Sequence, residues 1–223
     1  MLHQMSTISI TNLRAEAEGL TANLPDGEAL DALSAALITL AVAVSVTSLD
    51  RGTVHTSIHE AMDAGATVAQ VQEIIALVSG MGVHSLMVSS VAVLNEAANR
   101  ALIQPDEPLD SARQQLWDKH IGSDPFWTGF SEELPGFLEA MLRLSPDIFV
   151  AFFEYCAIPW RSGTVRAKVK ELAALACDAA PSHRFRPGFR VHLKNAIKLG
   201  VGRVAIFQAL DIAASAPEHR GTD

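Results

Sequence analysis

This sequence has little charge, few aromatics and few thiols, and each scarcity removes a class of function. Charged residues make up 19% of the 223 residues, and acids outnumber bases by 25 to 17, giving a net charge of −8. There is no stripe of Lys and Arg to neutralise phosphates, which excludes nucleic acid as a partner. Aromatics reach only 6%, with a single Tyr, whereas Ala, Leu and Val abound. That balance favours helices over sheets. The two cysteines, Cys156 and Cys177, form no CxxC pair and no metal-ligand spacing. They are expected to be small buried hydrophobes in a reducing cytoplasm. The opening residues, Met1-Leu2-His3-Gln4-Met5, lack a basic segment followed by an apolar one, so no signal peptide is expected.

Hydrophobic residues, by contrast, make up 49% of the chain. A small soluble monomer rarely exposes large apolar patches, so this composition implies a homo-oligomer. Two uncharged runs, Ala32 to Leu49 and Ile74 to Asn95, are long enough to span a bilayer. The first carries Ser34, Thr39, Ser45, Thr47 and Ser48; the second carries His84, Ser85, Ser89 and Ser90 and is broken by Gly80-Met81-Gly82. Polar residues at that density are costly in lipid, so both are read as core helices of a soluble cytoplasmic protein, with no membrane partner.

Two segments read alike. Ser57 to Gly65 and His192 to Gly200 both carry Ala at the fifth position and Gly at the ninth. The offset of 135 residues runs upstream without a gap, pairing Leu37 with Leu172, Leu40 with Leu175, Ala41 with Ala176 and Arg51 with Arg186. Seven of the fifty pairs between Leu30/Val165 and Ser79/Ala214 are identical, and the apolar pattern carries the rest. Helices are expected over about 30–46, 53–64, 68–79, 83–102, 111–119, 134–143, 146–157, 164–179, 188–199 and 201–214. Gly65 suits the left-handed position after a helix, Pro25-Asp26-Gly27 reads as a turn, and Gly80-Met81-Gly82 is expected to turn the chain. The organisation is then a leader (1–29), a first repeat (30–103), a linker (104–133) and a second repeat (134–223).

The repeats differ where chemistry is concerned: the second has Glu171 and His192 where the first has Ala36 and Ser57. At roughly 100° per residue, Phe189, Leu193, Ala196 and Gly200 lie about 40–100° from His192, with Lys194 and Lys198 opposite. His192 therefore stands at the edge of an apolar face, where an imidazole can carry a proton at neutral pH. A capping or surface His fits the same position. Glu171 opens an apolar run and can orient the imidazole; alone, it also fits a solvated helix start. His55 and His59 have the i, i+4 spacing of metal ligands, but no Glu lies between them and no third ligand is evident, so no metal is assigned. His84 reads as structural. His183 and Arg184 lie in the loop before the second motif, positioned to line a site entrance.

His192-x3-Ala196-x3-Gly200, together with Lys170-Glu171-Leu172 and its approach from Trp160-Arg161, resembles the carboxymuconolactone decarboxylase family, which includes the alkyl hydroperoxidase D-like proteins. The similarity covers most of 30–103 and 134–214. It implies an all-α fold of two tandem alkyl hydroperoxidase D-like repeats, the first degenerate. The thiol-peroxidase branch of that family carries a CxxC seven and four residues before its His. Those positions are Phe185 and Gly188 here, making this a member without the cysteine motif and arguing against thiol chemistry. The resemblance implies a lyase that uses no cofactor and works by general acid–base chemistry on a small lactone or carboxylated metabolite. In that scheme His192 carries the proton, Glu171 holds the imidazole, Arg161 or Arg186 anchors a substrate carboxylate, and His183 lines the substrate site. Two further readings stay open: a non-catalytic small-molecule-binding or assembly protein, and an isomerase of a specialised pathway.

Overall fold

A computed structural model describes residues 7–220; the expectation about residues 1–5 lies outside the described residues. Among the described residues, twelve α-helices follow one another: α1 (Ile10–Thr21), α2 (Ala32–Val44), α3 (Arg51–Asp63), α4 (Val68–Ser79), α5 (His84–Asn99), α6 (Ser111–His120), α7 (Pro125–Glu133), α8 (Phe137–Leu144), α9 (Pro146–Arg161), α10 (Ala167–Ala179), α11 (Arg186–Lys198) and α12 (Arg203–Ala214). No β-strand occurs among the described residues, and the fold is all-α as the composition implies.

The chain divides into two compact units. The first holds residues 7–79 and 159–220, and the second holds 80–158. This division differs from one drawn at the repeat boundaries (30–103, 104–133 and 134–223), because helices from both halves of the sequence pack into a single core. In the first unit, α2 packs against α10 at the centre. α10 also contacts α11, α12 and α4, while α2 contacts α3, α4 and α12. Every residue of α10 from Val169 to Ala179 is buried, so that helix has no solvated face. Shifted by 135 residues, the bounds of α2, α3 and α4 coincide with those of α10, α11 and α12. Gly65 and Gly200 also match: both have positive φ (95° and 76°), the left-handed end that follows a helix and that glycine tolerates.

Residues 10–21, expected as a leader, form a helix. Ser9 caps it, with Asn12 returning the bond in a capping box. Leu13 and Ala17 are buried where α1 packs on α11 and α12. The chain turns at 22–24, just before Pro25-Asp26-Gly27, and the Pro25 and Asp26 carbonyls accept the first amides of α12, from Arg203 (3.1 Å) and Val204 (2.9 Å). A buried ion pair fixes the approach to α10. Lys170 Nζ lies 2.5 Å from Glu73 Oε1 on α4 and donates to the Pro159 and Ser162 carbonyls at 2.6 and 2.7 Å. The Ser162 hydroxyl donates to Glu73 at 2.6 Å.

The second unit has an aromatic core. The Phe137 ring meets Phe152 edge-on (5.7 Å between centroids), and Phe149 meets Phe153 in the same way (4.8 Å). α8 buries Phe137, Leu138, Met141 and Leu142 and packs on α5 and α6. Gly80-Met81-Gly82 makes no turn but lies in a 3-10 helix, Gly80–Val83. Pro159 sits inside α9, extending that helix past the expected stop near Ala157. By length and composition, one helical stretch among the described residues, Val68–Asn99, is apolar enough to cross a membrane.

Candidate functional site

The site forms where α10 and α11 face each other. Seven residues separate Glu171 from Asp178, two helical turns, so both carboxylates lie on one face of α10. That face looks toward His192 in the middle of α11. His192 Nδ1 lies 2.7 Å from Glu171 Oε2, and its Nε2 lies 4.0 Å from Asp178 Oδ2. The His192 side chain is 20% exposed, Glu171 9% and Asp178 fully buried. The ring is thus nearly enclosed, with a fifth of its side chain still exposed. With Nδ1 turned to Glu171, Nε2 is the nitrogen that can meet a bound molecule.

Burial pulls the His192 imidazole toward its neutral form. The hydrogen bond and charge of Glu171, aided by Asp178, outweigh that pull and hold its pKa above the ordinary value. Burial also pushes the Asp178 carboxyl up to about 8, against the opposing effect of His192.

The loop between α10 and α11 folds back on the site. Phe185 N–H donates to the Asp178 backbone carbonyl at 2.9 Å, which brings His183 Nε2 to 3.6 Å from Asp178 Oδ1. Gly188 makes this possible. A Cβ there would collide with the Asp178 carboxylate and come within 2.8 Å of the Phe185 ring. The carboxylate therefore occupies the room that a side chain at the second cysteine-motif position would need.

The structure brings His192, Glu171 and His183 into one cluster, and adds Asp178. It directs Arg186 elsewhere: its Nε donates to Glu16 on α1 at 2.9 Å, and Arg190 holds the same carboxylate. Arg161 is exposed at the end of α9. Arg184 donates to the Ile8 carbonyl at 3.1 Å. His55 and His59 are exposed on α3, with His59 3.4 Å from Asp63. His84 is buried at the start of α5.

The thiols lie outside this chemistry. Burial raises the Cys156 thiol to about 11, and burial with the neighbouring Asp178 charge raises Cys177 further. Neither is a ready thiolate, and neither stands at the motif positions. A separate cavity of about 380 Å³ in the first unit is lined by Thr39, Val42, Ala43, Thr53, Asp211 and Ile212, among others. It does not include the His192 cluster. At the repeat offset, its Ala43 and Thr53 correspond to Asp178 and Gly188.

No family model matches this chain, and no curated protein does. A solved structure does: a protein from Burkholderia xenovorans assigned as a gamma-carboxymuconolactone decarboxylase subunit. It is 32% identical and superposes with a TM-score of 0.72, over 83% of this chain and 72% of that one.

Proposed function

Because this chain belongs to the carboxymuconolactone decarboxylase family, we propose that it is a lyase that removes carbon dioxide from a small lactone or carboxylated metabolite. The observation that carries this reading is the 2.7 Å bond between Glu171 and the His192 imidazole, in a nearly enclosed setting. A carboxylate next to a conjugated carbonyl loses carbon dioxide when its C–C bond breaks and the electron pair moves into that carbonyl. The protonated His192 then gives its Nε2 proton to the carbanionic carbon and is left neutral, and Glu171 holds the ring in position throughout. Each turnover consumes one proton and releases one carbon dioxide. The electrons stay within the substrate, so the reaction calls for no cofactor. Arg161 is the better candidate anchor for the substrate carboxylate, because Arg186 is engaged by Glu16. His183 lines the approach.

The coincident bounds of α2–α4 and α10–α12 support a tandem arrangement in which the first repeat has no acid–base pair. The cavity beside Ala43 and Thr53 favours a second reading, small-molecule binding without catalysis. Exposed Val88, Val93, Tyr155 and Ile158 in the second unit support a homo-oligomer, and a soluble cytoplasmic setting fits this chemistry.

The test is carbon dioxide release from a panel of carboxylated lactones and oxo acids by the wild type and H192Q. The reading expects turnover by the wild type and a loss of about 10²- to 10⁴-fold in the variant. Equal rates for the two would overturn it, and binding without release by either would favour the second reading.

A further inference from the structure

Asp178 is a sealed carboxyl group to which the proposed reaction gives no role. Within its own unit, two imidazoles flank it: His192 Nε2 lies 4.0 Å from Oδ2, and His183 Nε2 lies 3.6 Å from Oδ1. His192 opens to the candidate site. His183 sits in the loop between α10 and α11, beside exposed Ser182 and Arg184. The side chain at 178 thus bridges two partly exposed rings, and Gly188 keeps the space clear for it. Burying an ionisable group at such a place is costly, which suits a group retained for proton chemistry.

We propose that Asp178 is a proton-transfer partner linking His192 to His183, so that the proton His192 gives to substrate is replaced from the loop side. This rests on the reading of His192 as the acid. Only N–H and O–H bonds change. Protonated Asp178 gives its proton to Nε2 of neutral His192, leaving a carboxylate and an imidazolium. Burial holds the His183 pKa below its ordinary value, so that ring relays in its neutral form: the carboxylate takes its Nε2 proton as a solvent proton enters at Nδ1. Each nitrogen must close by roughly 1 Å to reach hydrogen-bond distance, a small ring movement. Burial places the Asp178 carboxyl near neutrality, where such an exchange costs little.

Within its unit, Lys194 and Lys198 stand on the side of α11 opposite His192, and several other charged groups on helices packed against α10 face partners elsewhere. α2 has none. Glu73 of α4 is held by Lys170, Asp211 and Arg203 of α12 face Arg14 and Asp26, and Arg186 and Arg190 of α11 face Glu16. On α10 itself, Glu171 meets the opposite nitrogen of His192.

The experiment follows the ring ¹⁵N shifts of histidine-labelled full-length protein across pH, in the wild type, D178N and H183Q. In the wild type, His192 and His183 should each show two inflections, their own and one shared through Asp178. D178N should reduce both to a single inflection and lower the His192 midpoint, while its Nδ1–H signal to Glu171 persists. H183Q should leave two inflections on His192 and shift the shared one. His192 and His183 curves that do not change in D178N overturn the proposal. If D178N does not fold, H183Q decides: an unshifted shared inflection overturns it. Shared inflections in a protein that releases no carbon dioxide reject the decarboxylase reading and keep the relay; carbon dioxide release with independent titrations rejects the relay alone.

Discussion

The Nδ1 atom of His192 bonds the carboxylate of Glu171 at 2.7 Å, although 21 residues separate the two in sequence. The bond fixes the ring and favours its charged form, which gives E171Q a defined phenotype. The amide can still accept from Nδ1–H but carries no charge. The His192 midpoint should therefore fall, and less imidazolium should remain at neutral pH. In a pH–rate profile the alkaline limb, where the acid loses its proton, should move to lower pH, with kcat down by at least about tenfold. An unmoved limb would mean that the Glu171 charge does not govern the ring.

Asp178 makes stability depend on pH in a defined direction. Its carboxyl is raised by burial to about 8 from an ordinary 3.8, so between those values the folded chain binds more protons than the unfolded one. Unfolding free energy must then decrease as pH rises through that window. The raised His192 adds the same sign above its ordinary 6.5. Urea denaturation of D178N at pH 5 and pH 8 should give a smaller difference than the wild type gives.

Gly188 should tolerate no side chain while Asp178 remains. G188A pushes a methyl group into the carboxylate and the Phe185 ring, costing about 1–3 kcal/mol. Denaturant titration of G188A, D178A and the double variant should show a combined loss smaller than the sum of the single losses.

Lys170 and Glu73 form the other buried charge pair, with side chains 3% and 5% exposed. K170M leaves the Glu73 carboxylate facing Ser162 and Val165 without its cation, at a cost of about 3–5 kcal/mol. Adding E73L should recover much of that loss. A K170M protein as stable as the wild type would show that the pair contributes nothing.

Helix angles and the short motif at His192 were enough to bring Glu171 and His192 into one hypothesis, because both lie on buried helix faces. Asp178 was harder to read. It ends an apolar run and is spaced seven residues from Glu171, a signal visible only when the whole of α10 is treated as one face. Arg186 matched Arg51 in the repeat, but its partner Glu16 lies on α1, a helix hidden in a leader whose sparse apolar positions gave little periodicity. Ser9 and Asn12 could have marked its start. The helix expected over 146–157 continues through Pro159 to Arg161. The division into compact units could not be read from a linear repeat, since α2 and α10 make one core only after the chain returns.

The most direct test of the central claim, that the imidazole held by Glu171 delivers the proton, is to run the reaction in deuterium oxide and examine the product. The account predicts one deuterium at the carbon that lost carbon dioxide, placed on a single face, with both product and label lost in H192Q. Label scattered over both faces, or a labelled product formed by H192Q at the wild-type rate, would contradict it.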